Sequence, residues 1–306
     1  MPEIYPIGGG KGGVGKSFVA ASLGALIAKS GNSVLLIDLD LGASNLHTLL
    51  GIKNPKRGIS NFLNQRAVSL ETVAVPTNVP NLFFISSFHC PMEIANLFYA
   101  QKIKLIKAIR KLPFDYILLD LGAGSNFNTL DFFLTATKGI CVFSPEPTSI
   151  ENAFRFIKAA YLRRLKRIIK QGGFNTRVKK MVFRSGRKDL DSSDIIDIVS
   201  TYDPDNGRPL KDKLERFDFK FILNQFRKNS DTTLGEKVEI VCNRHFYSPF
   251  QYIGSIGFDE RVLGAVFSKK LYIQKYPYTS TSVDLKNIAD ALTSRRPQLS
   301  GMANLS

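Results

Sequence analysis

The chain predicts an α/β fold built on a doubly wound, mostly parallel sheet. Two patterns carry that reading. Short continuous apolar runs recur along the 306 residues, separated by amphipathic stretches of helical period; strands buried on both faces, and the helices that cross between them, read this way. A glycine-rich turn joins the first apolar run to the first helical stretch, and sheets of this kind gather their ligands at such junctions. Composition agrees. Hydrophobic residues make up 44% and charged residues 22%, enough for a sizeable core and too apolar for global disorder.

The elements follow in order. Ile4–Gly8 is the first strand, and Lys16–Ser30 is the helix after it. The helix contains the most apolar run, Val19–Ala28, well short of the roughly 18 residues that a membrane span needs. Ser33–Asp38 is the second strand, with a short helix near Ser44–Leu50. Asn81–Ser86 precedes a helix from about Pro91 to Leu112, and Asp115–Asp120 precedes Asn128–Thr137. Gly139–Phe143 leads into a long basic helix, Thr148–Lys170. Phe219–Asn224, a helix near Asp231–Cys242, the strand Tyr252–Ile256, and helices near Glu260–Phe267 and Ser282–Ser294 complete the alternation. Gln171–Arg216 breaks it: Gly172-Gly173, a basic run, an acidic patch and Asp203-Pro204-Asp205-Asn206-Gly207 read as irregular chain and turns. The expected organisation is one domain over 1–306, with this segment inserted between the fifth and sixth core strands.

The turn after the first strand reads Gly10-Lys11-Gly12-Gly13-Val14-Gly15-Lys16-Ser17 and satisfies GxxxxGK[ST] between a strand and a helix. Its chemistry follows from residue type. Glycines let backbone N–H groups approach phosphate oxygens, and the helix adds its positive end. Lys16 is placed to reach terminal phosphates, and the Ser17 hydroxyl to ligand Mg²⁺. The overlapping Gly8-Gly9-Gly10-Lys11-Gly12-Gly13 also fits GxGxxG, but that pattern does not call for the Lys16-Ser17 pair. A nucleoside triphosphate is the expected ligand.

KGGVGKS, with a lysine opening the loop at Lys11, resembles the signature of the MinD/ParA family of P-loop ATPases. LLIDLDLGASNLHTLLG and YILLDLGAGSNFNTLDFF resemble that family's next two motifs, closest in flavour to the FlhG-like branch. The likeness covers about residues 4–160 and 219–294. It implies an ATP/ADP- and Mg²⁺-dependent switch whose ATP form is a homodimer sandwiching two nucleotides, in spatial regulation of flagella or cell division. By the same resemblance Lys11 reaches the partner's phosphates, Asp40 positions the attacking water, and Asp38 and Asp120 support the metal. Asn224 matches the position that reads the adenine edge. Gly10, Gly12, Gly13, Val14, Gly15 and Phe18 complete the loop; Phe18 replaces the family's usual second hydroxyl. The tail PQLSGMANLS is nearly uncharged and lacks aromatics, so no terminal membrane anchor is expected. The first strand starts at once, so the activating extension of FlhG proteins is not expected.

Charge marks a second candidate surface. Lys and Arg number 42 against 26 Asp and Glu, a net +16. Residues 154–188 hold 13 cations and no acid. On a wheel at 100° per residue, Phe154, Ile157, Tyr161, Leu165 and Ile168 share one face, and Arg155, Arg163, Lys166, Arg167 and Lys170 lie opposite with Phe156 among them. This Arg155–Lys188 segment is expected either to be a solvated helix back or to dock an acidic surface, whether a protein effector, anionic membrane or DNA. A ParA-like partition module gripping DNA without sequence preference is the alternative function. Three scattered cysteines, no CxxC pair and no secretory leader point to a reduced, cytoplasmic protein. Paired-cysteine metal carriers are excluded, and the late tyrosines Tyr272, Tyr276 and Tyr278 read as packing and turn residues.

Overall fold

A computed structural model describes residues 1–42, 44–65, 68–87, 98–172, 175–184 and 192–294. Strands β1 Glu3–Gly8, β2 Val34–Leu39, β3 Val75–Pro76, β4 Leu82–Ile85, β5 Tyr116–Leu121, β6 Lys138–Phe143, β7 Asp218–Phe226 and β8 Phe250–Gly257 form one sheet. Their order is β3-β4-β2-β5-β1-β6-β7-β8, and every pairing is parallel except β3 with β4. The first strand therefore lies inside, between β5 and β6. The chain winds outward from it in both directions, as expected of a doubly wound sheet.

The helices, in chain order, are α1 Lys16–Lys29, α2 Leu46–Leu49, α3 Ile59–Asn64, α4 Tyr99–Ile109, α5 Phe127–Phe133, α6 Pro147–Gln171, α7 Asn175–Arg184, α8 Ser192–Tyr202, α9 Pro204–Glu215, α10 Leu234–His245, α11 Arg261–Phe267, α12 Tyr272–Lys275 and α13 Ser280–Thr293. Strand side chains alternate between two cores. Leu36, Leu118, Ile140 and Val142 pack with α1 and α13 on one face, where Val19, Leu23, Ile27, Leu285 and Ile288 meet them. Leu35, Ile37, Ile117, Leu119, Cys141 and Phe143 pack on the other face with α4, α5, α6 and α10. Both strand faces are buried, so the strands read as unbroken apolar runs. Cys141 and Cys242 are free and buried; Cys90 lies outside the described residues.

Three expectations need correction. Residues 171–216 do lie between β6 and β7, the fifth and sixth parallel strands, but their described residues are mostly helical rather than irregular, holding α7, α8 and α9. The supposed turn at Asp203–Gly207 starts α9 instead, with Pro204 in its first turn, where a missing N–H costs nothing. Gly207 is buried there because a Cβ would stand 2.5 Å from the Ser200 Cα of α8. Phe156 does not face outward with the cations. It is fully buried, edge-on to Phe133 at 4.9 Å, because α6 buries a stripe wide enough to take Ala153, Phe156, Ile157 and Ala160 together. The helix predicted from Pro91 to Leu112 is described only as α4; residues 91–97 fall outside the described set, as do the tail 295–306 and the acidic residues Asp189 and Asp191.

Candidate functional site

The glycine-rich loop leaves β1 and enters α1 at the carboxyl ends of the central strands. Gly13 and Gly15 have φ of 80° and 87°, a left-handed backbone that L side chains rarely adopt. At Gly15 a Cβ would also strike Asn224 Nδ2 at 2.2 Å. The first turn of α1 then presents the unpaired N–H groups of Lys16, Ser17 and Phe18, with the positive end of the helix dipole behind them. An anion cradle follows from backbone alone.

Side chains gather round it. Lys16 is buried, and burial lowers its pKa while Asp120 and Asp40 pull it back up. Asp38 and Asp120 are register partners on β2 and β5, so two buried carboxylates stand side by side at the strand ends. Asp38 accepts hydrogen bonds from Asp40 N at 3.0 Å, Ser44 Oγ at 2.7 Å and Leu46 N at 3.3 Å. Neither oxygen of Asp120 meets a donor at full hydrogen-bond geometry. Burial and the neighbouring Asp38 push its pKa far up, and the nearby Ser17 hydroxyl and Lys16 offset this only in part. Burial likewise raises Asp38. An orphaned carboxylate in this state, beside a serine hydroxyl and a second carboxylate, suits a hard divalent cation such as Mg²⁺.

Asp40 is half-buried and lies beside Gly122, where a Cβ would come within 3.1 Å of its Oδ1. Gly124 N donates to Gly9 O at 3.1 Å, so the segment after β5 touches the phosphate loop directly. Phe18 is half-buried and meets the Tyr272 ring edge-on at 5.6 Å. It packs the loop's helix against α12 and so has a structural use for a residue that lacks the family's hydroxyl.

Lys11 does not hang free. Its Nζ pairs with the Glu146 carboxylate and reaches Thr148 Oγ1 at 3.1 Å, both at the start of α6. Asn224 is buried at the end of β7 and donates Nδ2–H to Val14 O at 2.8 Å, and Gln225 donates to Gly13 O at 3.0 Å. Glu146, Thr148 and Gln225 escaped the sequence reading. For the first two a signal existed: Ser144-Pro145-Glu146-Pro147-Thr148 directly follows a parallel strand, where ligand-side residues collect.

Part of the basic segment is committed inside the molecule. Asp131 of α5 is nearly inaccessible and is ringed by Arg163 and Arg167 of α6 and Lys102 of α4. Arg163 also stacks on Phe127 at 4.8 Å. Arg164 donates to Lys213 O at 2.5 Å and lies 5.0 Å from the Phe217 ring centre. Arg163 and Arg167, expected on the open face of the helix, thus tie helices together, as does Arg164. Arg155, Lys158, Lys166, Lys170, Arg177 and Lys180 remain exposed.

Fold and loop together define a P-loop nucleotide-binding α/β protein. The chain belongs to the CobQ/CobB/MinD/ParA nucleotide-binding domain family, whose model matches residues 6–272. Its MinD/ParA members are P-loop ATPases. The chain is 24% identical over 294 residues to the antiactivator FleN of Pseudomonas aeruginosa, covering 95% of this chain and 86% of that one. Its fold matches the septum site-determining protein MinD of Pyrococcus horikoshii in complex with Mg-ADP, with a TM-score of 0.64 and 19% identity over 96% of each chain. It also matches a putative plasmid partition protein of Borrelia burgdorferi bound to AMPPNP, with a TM-score of 0.60, 20% identity, and 95% and 98% coverage of the two chains.

Proposed function

We propose that the chain is a cytoplasmic, Mg²⁺-dependent ATP-binding and hydrolysing switch. Its ATP form is a homodimer that sandwiches two nucleotides, and its output is spatial organisation of flagella or of division. The observation that carries this is the pairing of a preformed phosphate cradle, over residues 10–17, with an orphaned buried carboxylate at Asp120. Backbone N–H groups of Gly10, Gly12, Gly13, Val14 and Gly15 hold phosphate oxygens, and Lys16 neutralises the terminal ones. Ser17, Asp38 and Asp120 would hold Mg²⁺, which when bound neutralises charge on the transferring phosphoryl group. Asp40, just past the end of β2 and beside Gly122, orients water for attack on the γ-phosphorus. The bond to the leaving β-phosphate oxygen breaks, giving ADP and phosphate. Phe18 and Asn224 border the nucleotide, and Lys11 supplies a positive charge across the dimer once it leaves Glu146. Turnover is slow, because the useful product is a timed state.

Chromatographic mass measurement with ATP and with ADP tests this directly. A dimer only with ATP, lost in Lys16→Ala, is the expected result; a Lys16→Ala chain that still dimerises with ATP overturns the switch. Normal hydrolysis by Asp40→Ala removes Asp40 from its role. Six exposed cations among the described side chains of α6 and α7 favour a second reading, a ParA-like module that holds DNA non-specifically. ATP-dependent retention of random DNA on a filter across a salt series supports that reading.

A further inference from the structure

We infer that Gln225, together with Asn224, is a positioning residue for the phosphate loop. Two adjacent amides grip two consecutive loop carbonyls, so the loop's N–H groups are aimed before any nucleotide arrives. The inference rests on the nucleotide-binding reading above and adds a residue that lies outside every motif behind that reading.

In a regular strand, adjacent side chains point to opposite faces. Asn224 and Gln225 are adjacent in β7, yet both reach the same loop, at Val14 O (2.8 Å) and Gly13 O (3.0 Å). The backbone explains how. Gln225 has a φ of 59°, a left-handed conformation uncommon for a residue with a Cβ. The pairing of β7 with β8 slips between Leu223 and Phe226. That bulge turns the second side chain to the side of the first. Strained backbone of this kind persists where the surroundings over-determine it, and such positions cluster at ligand clamps. Each amide must present its nitrogen, since a carbonyl oxygen accepts only from a donor.

The consequence lies in the peptide plane. A trans peptide holds its C=O and the following N–H in opposite directions. With Gly13 C=O turned toward Gln225, the Val14 N–H points away from it, to the cradle. With Val14 C=O turned toward Asn224, the Gly15 N–H does the same. These peptides are flanked by Gly13 and Gly15, both in the left-handed backbone that glycine reaches freely. The clamp therefore fixes a stretch of the cradle that has ample freedom to move, and it spares the ligand the cost of ordering it.

The test compares the full chain with Gln225→Gly and Gln225→Asn. Glycine removes the donor and relieves the left-handed strain; asparagine tolerates that backbone, but its amide is one methylene too short. Amide hydrogen exchange over residues 13–15, measured without nucleotide, should be faster in both variants. Calorimetric titration with MgATP should show affinity about five-fold weaker, the effect of one neutral hydrogen bond. The melting temperature of Gln225→Gly should equal or exceed the parent's, so stability and affinity move apart. Parental exchange and affinity in Gln225→Gly overturn the clamp. So does an affinity loss in both variants that merely tracks a fall in melting temperature. If the parent itself shows no heat with MgATP, the nucleotide reading fails, and the exchange comparison still decides the clamp.

Discussion

Replacing Glu146 by glutamine should tighten the ATP-dependent dimer. Lys11 is bound within its own chain by Glu146 and Thr148, and to act across a dimer it must first let go. The side chains of Lys11 and Glu146 are 34% and 58% exposed, so solvent screens the pair and its worth is about 0.5 kcal/mol. Each dimer breaks two such contacts, one per subunit, for a total of about 1 kcal/mol, or roughly five-fold in the dimer dissociation constant. The substitution is clean, because Glu146 is the N-cap of α6 yet its side chain makes no capping hydrogen bond. Sedimentation equilibrium with MgATP at low salt should show the five-fold gain, and the gain should shrink at high salt as the parent's own contact is screened. An unchanged or weaker dimer at low salt refutes the reasoning that this contact competes with assembly.

Asp120→Asn should stabilise the nucleotide-free protein while abolishing its Mg²⁺-dependent nucleotide binding. Burial raises the folded pKa of Asp120, so the native state holds its proton over a pH range where the unfolded chain has released it, and stability falls as pH rises above the ordinary carboxylate value. Urea midpoints at pH 5 and pH 8 should diverge for the parent and stay closer for the variant; a variant weaker than the parent at pH 8 contradicts this. Asp131→Ala strands three cations and should cost about 3–5 kcal/mol, lowering the melting temperature by on the order of 10 °C. Burial alone would raise the pKa of Asp131, but Arg163, Lys102 and Arg167 outweigh it and hold the carboxyl below its usual value. Its contribution is therefore full above the ordinary carboxylate range and is lost as pH falls through the lowered folded value; an unchanged urea midpoint in Asp131→Ala would show the cluster to be idle. Alanine at Lys166 and Lys170 should leave stability within about 0.5 kcal/mol and reduce the salt slope of any DNA binding by about one per lysine, whereas alanine at Arg163 and Arg167 should lower stability first.

The parts of the site visible in the sequence are those whose chemistry is local. Gly10 to Ser17 is contiguous, and Asp38 and Asp120 each end an apolar run, so strand register alone brings them together. Lys11 was legible as a residue but its partner was not, because Glu146 lies 135 positions away. The same limit explains the basic helix. A wheel drawn for α6 alone shows Arg163 and Arg167 opposite the apolar face, but the acid that claims them sits on α5 and shares a third cation from α4. Gln225 was hidden for another reason: only its unusual φ turns it toward the loop, and no residue pattern announces that.

The ends of the sheet limit how copies of this protein can be strung together. At one end β3 is two residues long and closes on Pro76, which has no N–H to offer. At the other, β8 carries an extra residue opposite Phe221 and Ile222 and a glycine at φ 143°, which twists the border out of plane. Among the described residues, both borders are therefore poor templates for a neighbour's strand. Copies of this chain are better placed to meet through faces and loops than through strand addition at the sheet edge.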